Sequence, residues 1–458
     1  VLERLQDAAR RSKAGYTEIR FERSIVTTVG CRGDRRARAS TAIDGGGFVR
    51  CLSPGHGWGA ASFNRLDEVG RQVVLAHELS RATRPARPIT LAPSPVRDAH
   101  LRPTLADDPR SVPMDEKRRL VEHLNAEMLR FDRRIVDTWI AYRDEVTEYW
   151  LVTAEGTAIF EMRPDVTLAV AAVARQGGVL ERAVESVGGR AGFGLTHAQD
   201  ELVRGAARRA VSLLEAAPVR SAAVPVVLDP RLAGMLAHVT VGHLAEADAQ
   251  DAHPLVATLG QPGRRLGSAV LTIGDDGSAR GLRGTLPFDD EGTPAGNTLL
   301  MQHGVMVGRL HTRETAARYG ERATGNARAL SWRHPPGARL TNPYIQNGTG
   351  TFQDLLRDIK LGVYACDLVG SMRQGVSAAL HTAHGIMIRD GELAELVKGV
   401  VLAGDVPDLL GAVDRVAGDF RWHDAGGGCD RHGHAALPTS DGAPHIRLRS
   451  VDVRGRAS

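Results

Sequence analysis

Aromatic side chains make up only 4% of the 458 residues, and lysine is nearly absent, being confined to Lys13, Lys117, Lys360 and Lys398. A nucleic-acid-binding surface needs basic side chains gathered into a stripe with aromatics among them. Here the basic residues are almost all Arg, they are spread along the chain, and the formal net charge is only +4. With the abundant Ala and Gly, the Arg bias fits codon usage in a GC-rich genome, and no nucleic-acid partner is expected. The four cysteines, Cys31, Cys51, Cys366 and Cys429, have no paired spacing. That excludes a disulfide framework and suits a reducing compartment. No stretch approaches the run of about 18 apolar residues that a membrane-spanning helix requires, so no membrane association is expected. The opening VLERLQDAARRSKAG reads as an amphipathic helix and not as a secretion signal; a cytoplasmic protein is expected.

What is present is an ordinary globular composition, 42% hydrophobic and 24% charged, on a chain too long for one core. After the first helix, TEIRFERSIVTTVG alternates as a strand does, and GGGFVRCL and GWGAASF follow as short Gly-flanked strands. LDEVGRQVVLAHELSRA is predicted helical, with Leu66, Val69, Val73 and His77 on one face. The Pro-rich RPARPITLAPSPVRDAHLRP lacks periodicity and reads as an extended arm. SVPMDEKRRLVEHLNAEMLR opens with Ser, Pro and early acids, a good helix start, and its Leu120, Leu124 and Met128 form the expected buried stripe. From Arg134 to about Gly194 strand follows strand, with AEGTA as a hairpin turn, and AQDELVRGAARRAVSLLEAA closes the block as a helix. Then VPVVLDP runs from a buried strand into Asp229 and Pro230, a helix N-cap followed by Pro at the first helical position. Short strands and Gly-rich turns fill the rest. The expected fold class is α+β, with mixed and antiparallel sheets in both halves. The expected division is an N-terminal α+β domain over 1–218 and a β-rich C-terminal domain over 219–458.

The chemistry concentrates in the helix that Pro230 begins, RLAGMLAHVTVGHLAEAD. His238 and His243 are five residues apart, a turn of about 140° in a regular helix, so their imidazoles would not share a face. A one-residue π-type widening would bring them together, and such bulges occur mainly at functional sites. Val239, Thr240, Val241 and Gly242 are poor helix formers, which favours a distortion there. Alone, the pair is weak evidence, and two unrelated core or surface histidines are the better reading of it.

Beyond this helix the chain resembles the TldD/PmbA (modulator of DNA gyrase) metallopeptidase family. HVTVGHLAEAD is similar to the family's HExxxH helix and the acidic segment after it. GTLPFDDEGTPAGNTLLMQHGVMVGRLHTRETA resembles its FDDEG segment, and ATGNAR, Arg333 and LTNPYI resemble its TGN, Arg and TN stretch. GGGCDRHGH resembles its C-terminal Cys-Gly-Lys-x-Gly-Gln motif, and GYTEIRFER with GGGFVR…GWGAASFN its opening strands. The resemblance covers essentially the whole chain in order. It implies a metal-site helix in the C-terminal half, and an N-terminal domain that contributes a substrate cavity and dimerisation. His238, His243 and Cys429 are the implied ligands of one zinc ion per chain. Two neutral imidazoles and a thiolate suit an open zinc site, although an isolated Cys is commonly just a buried thiol. The implied partners are an extended peptide or small-molecule substrate and a second subunit, either a like copy or a TldE/PmbA-type chain.

The departures matter as much. Val239 stands where the family has the Glu of HExxxH, the general base that takes a proton from water and returns one to the leaving amine. Arg431 and His434 replace the Lys and Gln of the C-terminal motif. Glu246 and Asp248 match acidic family positions; Glu246 is a candidate for catalytic work or for a hydrogen bond behind a ligating His. Asp289, Asp290 and Glu291 read either as a solvated turn or, with Arg333 and Asn342, as substrate-binding groups near the cleft. Cys429, His432 and His434 have the spacing of a separate local zinc cluster, and His381 and His384 read as exposed or core histidines. The expectation is a zinc-dependent metallopeptidase or amide hydrolase lacking its usual base. The alternatives are a non-proteolytic zinc enzyme of specialised metabolism and a non-catalytic partner subunit.

Overall fold

A computed structural model describes residues 1–425, 427–430 and 437–455. Helix α1 (Leu2–Arg10) leads into the long strands β1 (Tyr16–Arg32) and β2 (Arg38–Leu52), then β3 (Trp58–Phe63) and α2 (Val69–Ala82). After the arm come β4 (Asp98–Leu101), α3 (Met114–Arg130), β5 (Ile135–Thr153), β6 (Ala158–Gln176), β7 (Val179–Gly189) and α4 (Asp200–Leu213). The strands form one sheet in the order β3-β2-β1-β5-β6-β4, with β7 also on β6. It is antiparallel except for β4, which joins β6 in parallel. The predicted hairpin turn joins β5 to β6, with Gly156 at φ +107° where a side chain would be strained. The arm docks rather than dangles: the Ala92 backbone exchanges hydrogen bonds with Arg313, and the chain then enters the sheet as β4.

The buried face of α3 is rotated from the apolar stripe. Lys117, Val121, Leu124, Asn125 and Met128 point inward, and Leu120 is only half-buried. Two polar residues take the inner face because each has an acceptor waiting. Lys117 Nζ donates to Asp144 Oδ2 at 2.6 Å, and Asn125 Nδ2 donates to the Gly33 carbonyl at 2.7 Å. On α2, Val69, Val73, Ala76 and Ser80 are buried, while His77 lies at the margin.

The second half starts with β8 (Ala217–Pro218) and β9 (Ala222–Leu228) and holds two larger sheets. In one, Leu361–Gln374, β9, Ile446–Gly455, Val400–Asp405 and Ser377–Arg389 pair in sequence. Because Leu361–Gln374 also pairs with Ser377–Arg389, these five strands close on themselves. The other sheet has six short strands, among them Ile273–Asp276, Pro343–Ile345 and Asp441–Ala443. Helix α5 (Pro230–Ala237) and the residues after it lie between the two. Leu232, Leu236, Val241 and Leu244 share a core with Val226, Val363 and Leu402 on one side and Ile273, Ile345 and Ala443 on the other. Among the described residues no helix is long and apolar enough to cross a membrane.

Buried ion pairs join the two halves. Arg50 of β2 donates to Glu18 of β1 at 2.9 Å and to Glu291 at 2.6 Å, with all three side chains almost fully buried. Arg163 of β6 reaches Asp290, and Arg283 makes two 2.8 Å bonds to Asp165 of β6. Removing one partner of such a set leaves uncompensated buried charge, a cost of about 3–5 kcal/mol. Arg50→Met is therefore expected to lower the urea-unfolding free energy by about that amount. Adding Glu291→Gln should recover part of the loss, a coupling that a double-mutant cycle measures directly.

Candidate metal centre

The strand-to-helix turn fixes where the two histidines start. Asp229 caps α5, its Oδ1 accepting from Leu232 N at 2.8 Å, while its Oδ2 accepts from Asp367 N at 2.7 Å. The helix then widens into a π-helical turn over His238–Gly242 before a last α-helical turn at His243–Ala245. Thr240 favours the widening, since its hydroxyl donates back to the Leu236 carbonyl. Gly242 leaves room for the Leu340 side chain, whose methyl a Cβ there would approach to 2.8 Å. The widened turn places the two imidazole centroids 5.1 Å apart, at 72° to one another.

Cys429 arrives from the far end of the chain. Its backbone exchanges two hydrogen bonds with Leu437, at 2.8 and 3.1 Å. One ligand-capable atom from each of His238, His243 and Cys429 lies within 4.8 Å of the others. His238 and Cys429 are almost fully buried and His243 is partly so. Each imidazole is turned by a carboxylate behind it. His238 Nδ1 donates to Asp441 Oδ1 at 2.8 Å, and His243 Nδ1 lies 3.3 Å from Glu246 Oε1. Both Nε2 atoms are thereby left for the shared point, with His243 Nε2 at 3.7 Å from Cys429 Sγ. Arg339 completes the surround: Nη2 donates to Cys429 Sγ at 3.3 Å and Nε lies 3.7 Å from Glu246. Burial alone would push the Cys429 thiol up, but the facing imidazoles of His238 and His243 hold it well below the usual range. Burial likewise opposes protonation of His238, and Asp441 and Cys429 outweigh it, raising its pKa.

This donor set fits a zinc ion. Zn–N and Zn–S bonds of about 2.0–2.3 Å need ligand atoms about 3–4 Å apart, a small contraction of what is seen. Hydrogen bonds from carboxylates to the remote imidazole nitrogens are the usual orienting partners of metal-ligating histidines. Asp441 and Arg339 were not legible as site residues, since no spacing ties them to the helix. Asp441 arrives on a short strand paired with Pro343–Ile345.

Other expected site residues lie elsewhere. Val239 is buried, packed in the apolar core. Glu246 sits behind His243. The acidic triplet is not a solvated turn, for Asp289, Asp290 and Glu291 are all buried. Asp289 accepts the backbone N–H groups of Glu291, Thr293 and Ala327, and Asp290 accepts from Ala329 N and Arg163. Glu291 holds Arg50 and the backbone of Arg313. The triplet thus staples segments together, and Asp290 also lines a cavity. Asn342 is occupied by Gly284 N, the Asp276 carbonyl and Thr285. Arg333 is half exposed and pairs with Asp44 at 2.8 Å, away from the histidines. His381 and His384 lie on the strand Ser377–Arg389, outside the cluster. Arg431, His432 and His434 fall outside the described residues, and so does the alternative cluster built on the two histidines.

Residues 221–455 match the PmbA/TldA metallopeptidase C-terminal domain and residues 107–214 the central domain of the same family. A metalloprotease of Synechocystis sp. is 37% identical over 98% of this chain and 96% of its own length. The chain belongs to the TldD/PmbA metallopeptidase family. Another relative, described as a zinc metalloprotease TldD homologue of Saccharolobus solfataricus, is 25% identical over 69% of this chain and 71% of its own. The crystal structure of TldE from Thermococcus kodakarensis superposes with a TM-score of 0.75 at 18% identity. That match covers 96% of this chain and 97% of that one, a likeness of fold. The expected α+β class with several sheets is the family's architecture.

If Asp441 orients His238 toward a metal, Asp441→Asn should weaken zinc binding by about 10–100-fold. Competition with a chromophoric chelator reads this; an unchanged affinity would remove Asp441 as an orienting partner of the site.

Proposed function

We propose that this TldD/PmbA-family member is a zinc-dependent amide hydrolase acting on an extended peptide or related amide, with its general base missing from the usual place. The observation that carries the reading is the combination at one helix. The three candidate ligands converge and both imidazoles keep their carboxylate partners, yet position 239 is an apolar Val. His238, His243 and Cys429 would hold the ion, one per chain. When bound, zinc supplies a Lewis acid that polarises a carbonyl and acidifies water. The chain's own residues supply the rest. Asp441 and Glu246 fix the imidazole tautomers, and Arg339 donates to the sulfur, steadying it as a thiolate.

Val239 can neither accept nor return a proton, and loss of a positioned base removes a factor of about 10²–10⁴. Glu246 is no substitute as placed, being turned to His243 and Arg339. A second reading follows from the same observation: with ligands kept and base lost, the site suits Lewis-acid chemistry on a small molecule that needs no proton shuttle. A non-catalytic role beside a TldE-type partner fits less well, since such a role places no demand on three converged ligands. The N-terminal sheet over 1–218 would then contribute the substrate cavity and dimer contacts, and 219–458 the metal centre.

Elemental mass spectrometry of the purified chain should find about one zinc per chain, lost in His238→Ala. No metal in either sample after zinc is added back would overturn the enzyme reading. Val239→Glu should raise cleavage of an unfolded peptide by about 10²-fold or more. Zinc retained with no gain in cleavage would instead favour the small-molecule reading.

A further inference from the structure

A cavity of about 510 Å³ lies between the N-terminal sheet and the C-terminal half. The three candidate ligands do not line it. Its wall nonetheless includes Gly427, Leu437 and Pro438, and Leu437 is the residue that pairs with Cys429. The cavity therefore opens against the ribbon that carries the sulfur.

Its charged lining is unevenly matched. Of the four wall carboxylates, Glu145 is taken by Arg143, Asp165 by Arg283 and Asp290 by Arg163, while Glu22 lies 3.9 Å from Arg20. Arg328 is the exception. Its side chain is buried, 4% exposed as a residue, and it pairs with no carboxylate among the described residues. It donates to two backbone carbonyls, Leu340 at 2.5 Å and Pro438 at 2.8 Å, which engages two of the five N–H donors of a guanidinium. Arg163, also in the wall, has a buried Nη2 with no acceptor. Burial, and then the neighbouring Arg190, draw the Arg328 pKa down to about 10, with Asp290 offsetting only part. A buried cation without a partner is costly, and a planar guanidinium is best satisfied by a carboxylate or another oxyanion held in two-point contact.

We propose that Arg328 receives a carboxylate of the substrate, so that the cavity selects peptides by a free C-terminus or an acidic side chain next to the bond presented to the metal centre. The assignment rests on the amide-hydrolase reading for its location and not for its test, because binding is measured with no turnover. A substrate anchored at a guanidinium and at the metal centre would be held at two points, which fixes its register along the cleft. An extended chain held only by backbone pairing would lack that register.

The test uses the whole protein after treatment with a chelator, and isothermal titration calorimetry with three probes. These are tetra-alanine as the free acid, tetra-alanine as the C-terminal amide, and the same amide with aspartate as its third residue. The free acid is expected to bind at least tenfold more tightly than the plain amide. An aspartate amide that binds like the free acid assigns the subsite to acidic side chains as well; one that binds like the plain amide assigns it to the C-terminus. Arg328→Met should bring acid and amide within twofold of each other. Because Arg328 also holds two carbonyls, Arg328→Lys provides a gentler variant, in which a reduced preference for the acid is expected. Equal binding of acid and amide by the unaltered protein, binding of neither, or full discrimination in a folded Arg328→Met would overturn the proposal. Cleavage assays on the zinc-loaded protein decide the amide-hydrolase reading separately, whatever the calorimetry shows.

Discussion

A helix that must bring residues five apart to one point cannot keep its regular winding. In the turn over His238–Gly242 the chain takes the π-type geometry, and everything else around the centre accommodates it. Thr240 ties its hydroxyl back to Leu236, Gly242 leaves room for Leu340, and Asp229 pins the helix start so that the widening falls at the histidines. The π turn is embedded between two sheets, with Val239, Val241 and Leu244 in the core. Apolar packing of the neighbouring residues thus stabilises a backbone that intrinsic propensity would not favour. The carboxylates then matter as orienters: without Asp441 and Glu246 each imidazole would be free to flip, and the approach of the two rings would not define a point.

The second constraint is that the sulfur comes from about 190 positions later in the chain than the histidines, as their numbering shows. The ribbon bearing it is held from several sides. Arg339 contacts both the carbonyl and the sulfur of Cys429, and Arg283 bonds the Ala425 and Gly427 carbonyls while gripping Asp165 of β6. Gly188 of β7 donates to the Asp424 carbonyl. The N-terminal sheet therefore participates in placing a residue of the C-terminal half. Buried Arg–carboxylate pairs are a poor source of net stability compared with apolar packing. Their value here is directional, since a bidentate guanidinium fixes one relative position of two sheets where a greasy contact would allow sliding. The same reasoning explains Asp289, Asp290 and Glu291, whose oxygens are directed to particular backbone N–H groups and guanidiniums.

Patterning made the strands, the helices and the Asp229–Pro230 helix start legible, because period and capping are local properties. The π turn was legible too, from a histidine spacing that a regular helix cannot use and from the Val-Thr-Val-Gly run. Other features depended on partners distant in sequence. On α3 the expected Leu124 and Met128 are buried, but Lys117 and Asn125 join them only by virtue of Asp144 and Gly33. Asp441 and Arg339 acquire their roles from strand pairing and from a ribbon near the chain's end, which no window of sequence contains. The acidic triplet read either as a solvated turn, since charge usually marks the surface, or as substrate-binding groups; burial with satisfied hydrogen bonds is visible only in three dimensions. Cys429 could be singled out through the family resemblance and not through its spacing.

Val239 is best understood against what was kept around it. A site drifting free of function would have no reason to hold His238 against Asp441, His243 against Glu246 and Cys429 against Arg339 at once, since each arrangement buries a polar or charged group whose desolvation must be offset. Replacing that whole set by apolar side chains of similar volume would be neutral or stabilising by the same logic that applies to buried ion pairs. A converged polar set of this kind is therefore better accounted for by a bound metal than by packing. Val239 itself belongs to the core cluster with Val241, Leu236 and Leu244. On the proposed reading, chemistry at this centre would draw on water, on the substrate's own groups, or on an electrophile that needs no base.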